Sequence, residues 1–164
     1  MAFTVHTIPP VFDASSEILI LGSFPSVKSR EAGFFYGHPQ NRFWKTIAAV
    51  FADDVPETTE KKKHFLLRHH IALWDVVASC EIDGSADSAI RNVVPNDISA
   101  ILQAAQIRQI FVNGKTAEKY YNRFLLPQTG RAAVCLPSTS PANATKKLDM
   151  LIAEWSALIR EADY

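Results

Sequence analysis

Cysteine is scarce in this sequence, and its two cysteines, Cys80 and Cys135, lie far apart. An iron–sulfur cluster takes four cysteines, and a structural zinc site usually takes paired ligands at short spacing. Isolated cysteines in a reducing compartment are commonly buried, reduced thiols. We therefore expect two reduced core thiols, no metal and no other cofactor.

Long hydrophobic runs are absent as well, because no apolar stretch reaches the roughly 18 residues that a membrane-spanning helix needs. The N-terminal MAFTVHTIPPVF has neither the basic start nor the long apolar stretch of a signal peptide. We expect a monomeric, cytoplasmic protein that does not contact a membrane. Its 164 residues favour a single domain, residues 1–164, with a substantial core.

A surplus of basic residues is missing too, since 17 Lys and Arg residues balance 17 Asp and Glu residues. Proteins that bind nucleic acids usually show such a surplus, but the distribution of charge matters more than its sum. Scattered, solvated charges are one interpretation of the basic residues. Local clusters are the other, and the candidates are Lys28, Arg30, Arg42 and Lys45, then Lys115, Lys119, Arg123 and Arg131, then Lys146 and Lys147.

What the sequence does contain is four short apolar segments, which predict β-strands at residues 17–21, 71–77, 109–112 and 132–136. Nearly uniform apolarity is typical of strands covered on both faces of a sheet. Helical patterns occur at residues 41–51, 60–69, 95–105, 115–124 and 144–161. Strands that alternate with helices predict an α/β fold, a three-layer α/β/α sandwich. Its short, mainly parallel central sheet should have residues 18–21 at the centre.

Four informative loops each follow a predicted strand, at residues 22–41, 75–87, 113–114 and 137–143. In open α/β sheets, ligands bind outside the carboxyl ends of the strands. We therefore expect these loops to build one composite site.

The first loop carries aromatic and amide side chains. Its adjacent rings Phe34, Phe35 and Tyr36 cannot all face one core, so we expect one of them to face a cleft, where it could stack on a base. Asn41 either caps the following helix or acts on a water, its oxygen accepting from the water and its nitrogen orienting it. An amide is a weak base, but it can place water against a centre as electrophilic as a sugar oxocarbenium ion.

The other loops also allow two interpretations each. Asp75 lies within an apolar strand, so its carboxylate either binds backbone groups locally or reads the polar edge of a ligand. Asn113 is either a turn residue before Gly114 or a reader of a base edge. Residues 136–143 form either a plain helix-entry loop or a phosphate-binding turn of hydroxyl and backbone N–H groups.

Together these motifs resemble the uracil-DNA glycosylase superfamily. Gly22-Ser23-Phe24-Pro25 resembles its first motif, residues 136–143 its second, and residues 38–44 (HPQNRFW) the corresponding run of mismatch-specific uracil/thymine glycosylases. The sequence is most similar to the hypoxanthine-DNA glycosylase branch. That match adds the segments at residues 73–76, 84–90, 95–97, 113–114 and 137–141, so the resemblance covers nearly the whole chain.

The resemblance implies an enzyme that removes hypoxanthine, a deaminated adenine, from double- or single-stranded DNA and leaves an abasic site. The damaged base must leave the stack to be reached. Asn41 would orient the water that attacks C1′, and Tyr36 would stack on the base. The implied base-binding residues are Gly22, Ser23, Phe24, Tyr36, Asp75 and Asn113, and the implied DNA-binding residues are Pro137, Ser138, Thr139, Ser140 and Lys146.

One departure from the superfamily leaves rival functions open. Ser23 stands where the mismatch-specific branch has a catalytic Asn, and the main uracil branch has an Asp before its proline. The first rival is a mismatch-specific uracil/thymine glycosylase, against which Ser23 argues. The second is a non-catalytic DNA- or nucleotide-binding domain, against which the intact Asn41 argues.

Overall fold

The structure is a computed structural model, and it describes residues 2–82 and 90–162. In these ranges the strands are β1 (Ala2–Val5), β2 (Ile18–Gly22), β3 (Ile71–Asp75), β4 (Val77–Ile82), β5 (Arg91–Pro95), β6 (Gln109–Asn113) and β7 (Ala133–Leu136). The helices are α1 (Val27–Ala32), α2 (Phe43–Val50), α3 (Thr59–Arg68), α4 (Ser99–Ala104), α5 (Lys115–Tyr120), α6 (Leu126–Thr129), α7 (Leu148–Trp155) and α8 (Ala157–Ala162). A π-helical turn, Tyr121–Leu125, joins α5 to α6. Residues 84–89, which contribute to the resemblance, lie outside the described residues.

Four strands form a parallel sheet in the order β3-β2-β6-β7. β2 lies in its interior, and every residue of β2 is buried. Ile18 and Ile20 enter the core on one face of the sheet, and Leu19 and Leu21 enter the core on the other. Burying a side chain of this size contributes about 1.5–3 kcal/mol. The mainly parallel sheet and the central position of residues 18–21 are confirmed.

Helices cover both faces of this sheet. On the first face, α2 packs on α7, and Ile47, Leu151 and Trp155 belong to the shared core. On the second face, Ile101 of α4 and Leu125 of the π-helical turn pack into the other core. The predicted three-layer sandwich is confirmed.

The predicted strand at residues 71–77 is wrong as a single element. β3 ends at Asp75, and after Val76 the chain enters β4, which pairs antiparallel with β1 and β5 in a second sheet. The buried side chain of Asn96 braces this transition by donating to the carbonyls of Asp75 (2.9 Å) and Val77 (3.2 Å). The hydrophobic pattern does not predict the second sheet. In β1 the apolar side chain of Phe3 is 66% exposed, so apolar residues in this strand do not mark the buried face.

Three smaller differences concern the ends of elements. β7 lies at the edge of the parallel sheet with Val134 exposed, so it is not covered on both faces as predicted. The predicted helix at residues 144–161 begins only at Leu148 and is interrupted at Ser156, whose hydroxyl donates to the Ile152 carbonyl at 2.7 Å. α1 was not predicted, although its N-cap Ser26 accepts a backbone N–H in the usual way.

Candidate active site

A cavity of about 1050 Å³ opens at the carboxyl ends of the parallel strands. The ends of β2, β3, β6 and β7 and the loops that follow β2, β6 and β7 line it. The lining includes every residue named above for base, DNA or water, namely Gly22, Ser23, Phe24, Tyr36, Asn41, Asp75, Asn113, Pro137, Ser138, Thr139, Ser140 and Lys146. The structure therefore brings the predicted site residues together in one place.

The carboxamide of Asn41 is fixed by two hydrogen bonds. Its Oδ1 accepts from the backbone N–H of Phe43 at 3.0 Å and from the hydroxyl of Thr139 at 2.9 Å. A backbone N–H can only donate, so the oxygen must face the helix and Nδ2 must face away from it. Both lone pairs of the oxygen are used, which corrects the expectation that this oxygen accepts from a water. Asn41 instead offers its N–H groups.

Asn113 and Thr139 hold each other next to Asn41. Asn113 Nδ2 donates to the Thr139 hydroxyl (3.1 Å) and to the Tyr36 hydroxyl (3.2 Å), and its Oδ1 accepts from the Thr139 backbone N–H (3.1 Å). A continuous chain of hydrogen bonds therefore runs from Tyr36 through Asn113 and Thr139 to Asn41. Asn113 uses both of its N–H groups inside the protein, which leaves only acceptor capacity at Oδ1 for a ligand.

Thr139 is completely buried, and both of its donor groups are used in this chain. Neither donor of Thr139 is left for a phosphate in this arrangement, so its contact with DNA stays a prediction that would require one of these hydrogen bonds to break. Its structural part is to orient Asn41.

Tyr36 supplies a flat wall of the cavity. Its ring stacks on the buried ring of Phe43 with the centroids 4.0 Å apart and the planes 17° apart. Its backbone takes a left-handed conformation (φ 54°), which a non-glycine residue rarely adopts. Phe34 and Phe35 are both buried in the core. As expected for three adjacent rings, two belong to the core beneath the loop.

Gly22 lets two polar groups approach the end of β2. A Cβ atom at this position would lie 2.4 Å from Asp75 Oδ1 and 2.8 Å from the Tyr36 hydroxyl oxygen. Both contacts are shorter than real Cβ atoms show, so any side chain at this position would force the Asp75 carboxylate and the Tyr36 phenol to move. The carboxylate and the phenol are consequently neighbours at the floor of the cavity.

Asp75 has a partner that sequence reasoning missed. Its Oδ2 lies 2.8 Å from Nε2 of His6, and the side chains are 5% and 1% exposed, respectively. The carboxylate is therefore satisfied by a ring N–H from a distant segment, not by neighbouring backbone groups. The N-terminal segment alternates apolar and polar residues, which indicates a strand but does not show that its polar side would face inward. In the structure Phe3 and Val5 are exposed, and the side chain of His6 is buried.

Arg42 anchors the loop that follows β7. Its guanidinium donates to the carbonyls of Ser140 (3.0 Å), Asn143 (3.2 Å) and Lys146. Its backbone N–H donates to the Thr139 carbonyl at 3.1 Å. The charge of Arg42 thus organises the protein itself, and this residue is not the local DNA contact that its place among the basic clusters suggested.

The remaining rim of the cavity is partly acidic. Lys146 Nζ lies 3.0 Å from Glu154 Oε2, so a carboxylate already faces the predicted DNA-binding lysine. Trp155, which is fully buried as core, donates from Nε1 to the Pro137 carbonyl at 2.9 Å and holds the start of the same loop.

The cavity wall also includes Cys135. Burial raises the pKa of its thiol, and the carboxylate of Glu118 acts in the same direction. A protonated thiol is a poor nucleophile, so the site does not point to cysteine chemistry. Cys80 and Cys135 are both unpaired thiols. Within residues 2–82 and 90–162, no three His, Cys, Asp or Glu side chains are grouped to hold a metal, and no helix is long and apolar enough to cross a membrane.

These features define a class of protein: an α/β sandwich with a cleft at the carboxyl edge of its parallel sheet, lined by an aromatic ring and by fixed amide side chains. A family model of the uracil DNA glycosylase superfamily matches residues 9–159. The chain belongs to that superfamily, as the motifs predicted.

Individual relatives cover almost the same length. The chain is 36% identical over 154 residues to a hypoxanthine DNA glycosylase of Methanosarcina acetivorans, covering 93% of this chain and 96% of the relative. A hypoxanthine DNA glycosylase of Methanosarcina barkeri is 33% identical over 137 residues, covering 82% of this chain and 85% of the relative. A solution NMR structure of a candidate uracil DNA glycosylase from Methanosarcina acetivorans superimposes with a TM-score of 0.81 at 34% identity, covering 96% of this chain and 97% of that one.

Proposed function

We propose that this protein is a monofunctional DNA glycosylase that hydrolyses the N-glycosidic bond of hypoxanthine in DNA and leaves an abasic site. The observation that carries the proposal is the fixed carboxamide of Asn41 beside the ring of Tyr36 in a cleft that can enclose a base. The names of the two Methanosarcina relatives support the choice of hypoxanthine.

The first step is the entry of the flipped base into the cavity. In this proposal the ring of Tyr36, which Phe43 supports from one side, stacks on the base, and such stacking is worth about 1–3 kcal/mol per base. In this proposal Asp75 Oδ1, which lies beside Gly22, accepts a hydrogen bond from the base edge. Backbone groups near Ser23 and Phe24 complete the proposed base-binding wall.

The second step is the attack of water. Nδ2 of Asn41 donates to the oxygen of a water and leaves a lone pair of that water for C1′. Because the glycosidic bond is breaking, the sugar carries oxocarbenium character and needs no strong base to activate the nucleophile. A fixed amide contributes by holding the water in one geometry.

Hypoxanthine is preferred to normal adenine for reasons of hydrogen bonding. It offers an O6 acceptor and an N1–H donor, whereas adenine offers a donor amine and an N1 acceptor. A carboxylate at Asp75 suits the N1–H donor, and an adenine in the same place would set two acceptors against each other. Ser23 supplies neither the Asn nor the Asp of the uracil-type branches, and uracil would sit loosely in a purine-sized cleft.

The DNA strand is held by the loop after β7 in this proposal. Pro137, Ser138 and Ser140 lie on the cavity wall, and Lys146 lies on its rim beside Glu154. Affinity for DNA should fall as salt is added, in proportion to the phosphates contacted. We also propose that residues 1–164 form one domain that acts as a monomer in the cytoplasm, where both thiols stay reduced.

The direct test is a panel of duplexes that carry deoxyinosine, deoxyxanthosine, uracil or a mismatched thymine at one position. After incubation with the protein, alkali cleaves the strand at any abasic site. We expect cleavage at deoxyinosine to be fastest and no cleavage without alkali. Faster excision of uracil or mismatched thymine would instead assign the protein to the mismatch-type branch, and binding without excision would assign it to the non-catalytic class.

A further inference from the structure

The contact between His6 and Asp75 joins the two sheets at the active site. His6 directly follows β1, and its backbone N–H donates to the Ala78 carbonyl at 2.7 Å, which extends the pairing of β1 with β4. Asp75 is the last residue of β3 in the parallel sheet. The segment that extends β1 therefore brings the His6 side chain into contact with Asp75, which lines the cavity.

Packing leaves the His6 ring little freedom. Phe24 and Trp74 approach it edge-on with centroid distances of 5.9 and 6.2 Å, and Phe35 lies at 6.1 Å. The side chain is 1% exposed. Aromatic walls on several sides hold the ring so that its Nε2 faces Asp75 Oδ2.

This contact determines how the carboxylate faces a ligand. With Oδ2 occupied by His6, Oδ1 is turned toward Gly22 and the Tyr36 hydroxyl, at the floor of the cavity. A carboxylate has only acceptor sites. The group that meets Oδ1 must therefore be a donor, such as the ring N–H that lies beside a carbonyl in a lactam base.

We propose that His6 is a positioning residue for base selection: it presents Oδ1 of Asp75 as an acceptor for the N1–H of 6-oxopurines. The inference rests on the proposed function and deepens it. Without the His6 N–H, the carboxylate can rotate, and Oδ1 is no longer held as the acceptor that favours purines with an N1–H.

The test compares two substrates and two variants. One duplex carries deoxyinosine, and the other carries deoxynebularine, a purine nucleoside with an unprotonated N1 and no 6-oxo group. His6→Leu removes the ring donor, whereas His6→Gln retains an N–H donor. Single-turnover excision rates are measured for each protein on both duplexes, together with the thermal midpoint of unfolding.

We expect His6→Leu to lower the inosine-to-nebularine rate ratio by at least ~10-fold, the scale of a lost hydrogen bond to a charged group. His6→Gln should keep most of the wild-type ratio. A purely structural role would lower both rates in the same proportion and leave the ratio unchanged, and that result would overturn the proposal.

A double-mutant cycle connects the effect to Asp75. In an Asp75→Asn background, His6→Leu should change the ratio little, because the group through which it acts is already altered. Additive effects would contradict positioning through Asp75. If the wild-type protein fails to excise hypoxanthine, the proposed function fails; if it does excise and the ratio is insensitive to His6, only the positioning role fails.

Discussion

β2 of the parallel sheet and β1 of the antiparallel sheet differ in how far their apolar side chains are exposed to solvent. In the parallel sheet, β2 is apolar and every residue is buried between two helical layers. In the antiparallel sheet, Phe3 and Val5 of β1 are 66% and 53% exposed, while the polar His6 just beyond them has its side chain buried. The second sheet also reaches the core, through Val77 and Cys80 of β4, so the difference lies in β1: its apolar side chains face outward, and the residue that follows it contacts Asp75.

A polarity pattern consequently has different predictive value in the two regions. Apolar residues on both faces of a strand signal burial between layers. An inward-facing histidine or asparagine gives no such signal, because its burial depends on a partner far along the chain. His6 pairs with Asp75, and Asn96 spans the carbonyls of Asp75 and Val77.

The largest effect is expected at Asn41, the proposed water-positioning residue at the carboxyl edge of the parallel sheet. Asn41→Ala should reduce single-turnover excision of hypoxanthine by at least ~10²-fold, the scale of losing a positioned catalytic group. Binding to inosine-containing DNA should largely survive. Asn122→Ala, which removes an exposed amide, is the matched control. Near-normal excision by Asn41→Ala would show that another residue holds the water.

Gly22→Ala should have the next largest effect, since its Cβ would collide with Asp75 Oδ1 and the Tyr36 hydroxyl. We expect excision to fall by about 10-fold or more and stability to fall by roughly 1–3 kcal/mol, the usual cost of overpacking. Gly130→Ala is the control: its Cβ would meet nothing within 4 Å, and its only strain would come from a left-handed φ of 65°, which Gly22 does not share. That variant should lose stability without losing activity, so equal activity losses in the two would contradict the collision.

Substitutions of Thr139 distinguish its role in orienting the Asn41 side chain from its role in packing. Thr139→Val keeps the shape but removes the hydroxyl that donates to Asn41 and accepts from Asn113. We expect about a 10-fold lower kcat with little change in KM, as for an interaction realised in the transition state. Thr139→Ser keeps the hydroxyl and should retain most activity. If the Val and Ser variants behave alike, the hydroxyl does not orient Asn41.

The smallest effect is expected for a pair of substitutions, one in each sheet, that compare how much a buried and an exposed valine contribute to the free energy of unfolding. Val5→Thr on the exposed face of β1 should change the free energy of unfolding by no more than about 0.5 kcal/mol. Val112→Thr in β6, where Val112 is fully buried, should cost about 1–3 kcal/mol, because the new hydroxyl loses its hydration. Chemical denaturation of both variants measures the difference. Similar losses at the two positions would mean that the outer face of β1 is covered in solution.

The predicted strands and loops explain why the site was largely foreseen. Polar loops after β2, β3, β6 and β7 had to meet, because parallel strands share one carboxyl edge. The roles of individual side chains were harder to predict from the sequence. Arg42 was grouped with possible DNA contacts, yet it binds three loop carbonyls, and Thr139 was assigned to DNA, yet it is buried.

Sequence by itself determined the layered parallel fold, the position of the cleft and which residues line it. These features follow from hydrophobic periodicity and from the order of the motifs, which are local properties of the chain. Only the tertiary structure decided which atoms remain available to a ligand. The oxygen of Asn41 is used by Phe43 and Thr139, and one oxygen of Asp75 is used by His6. These contacts join residues up to 98 positions apart, and hydrogen bonds at that separation leave no pattern in the sequence.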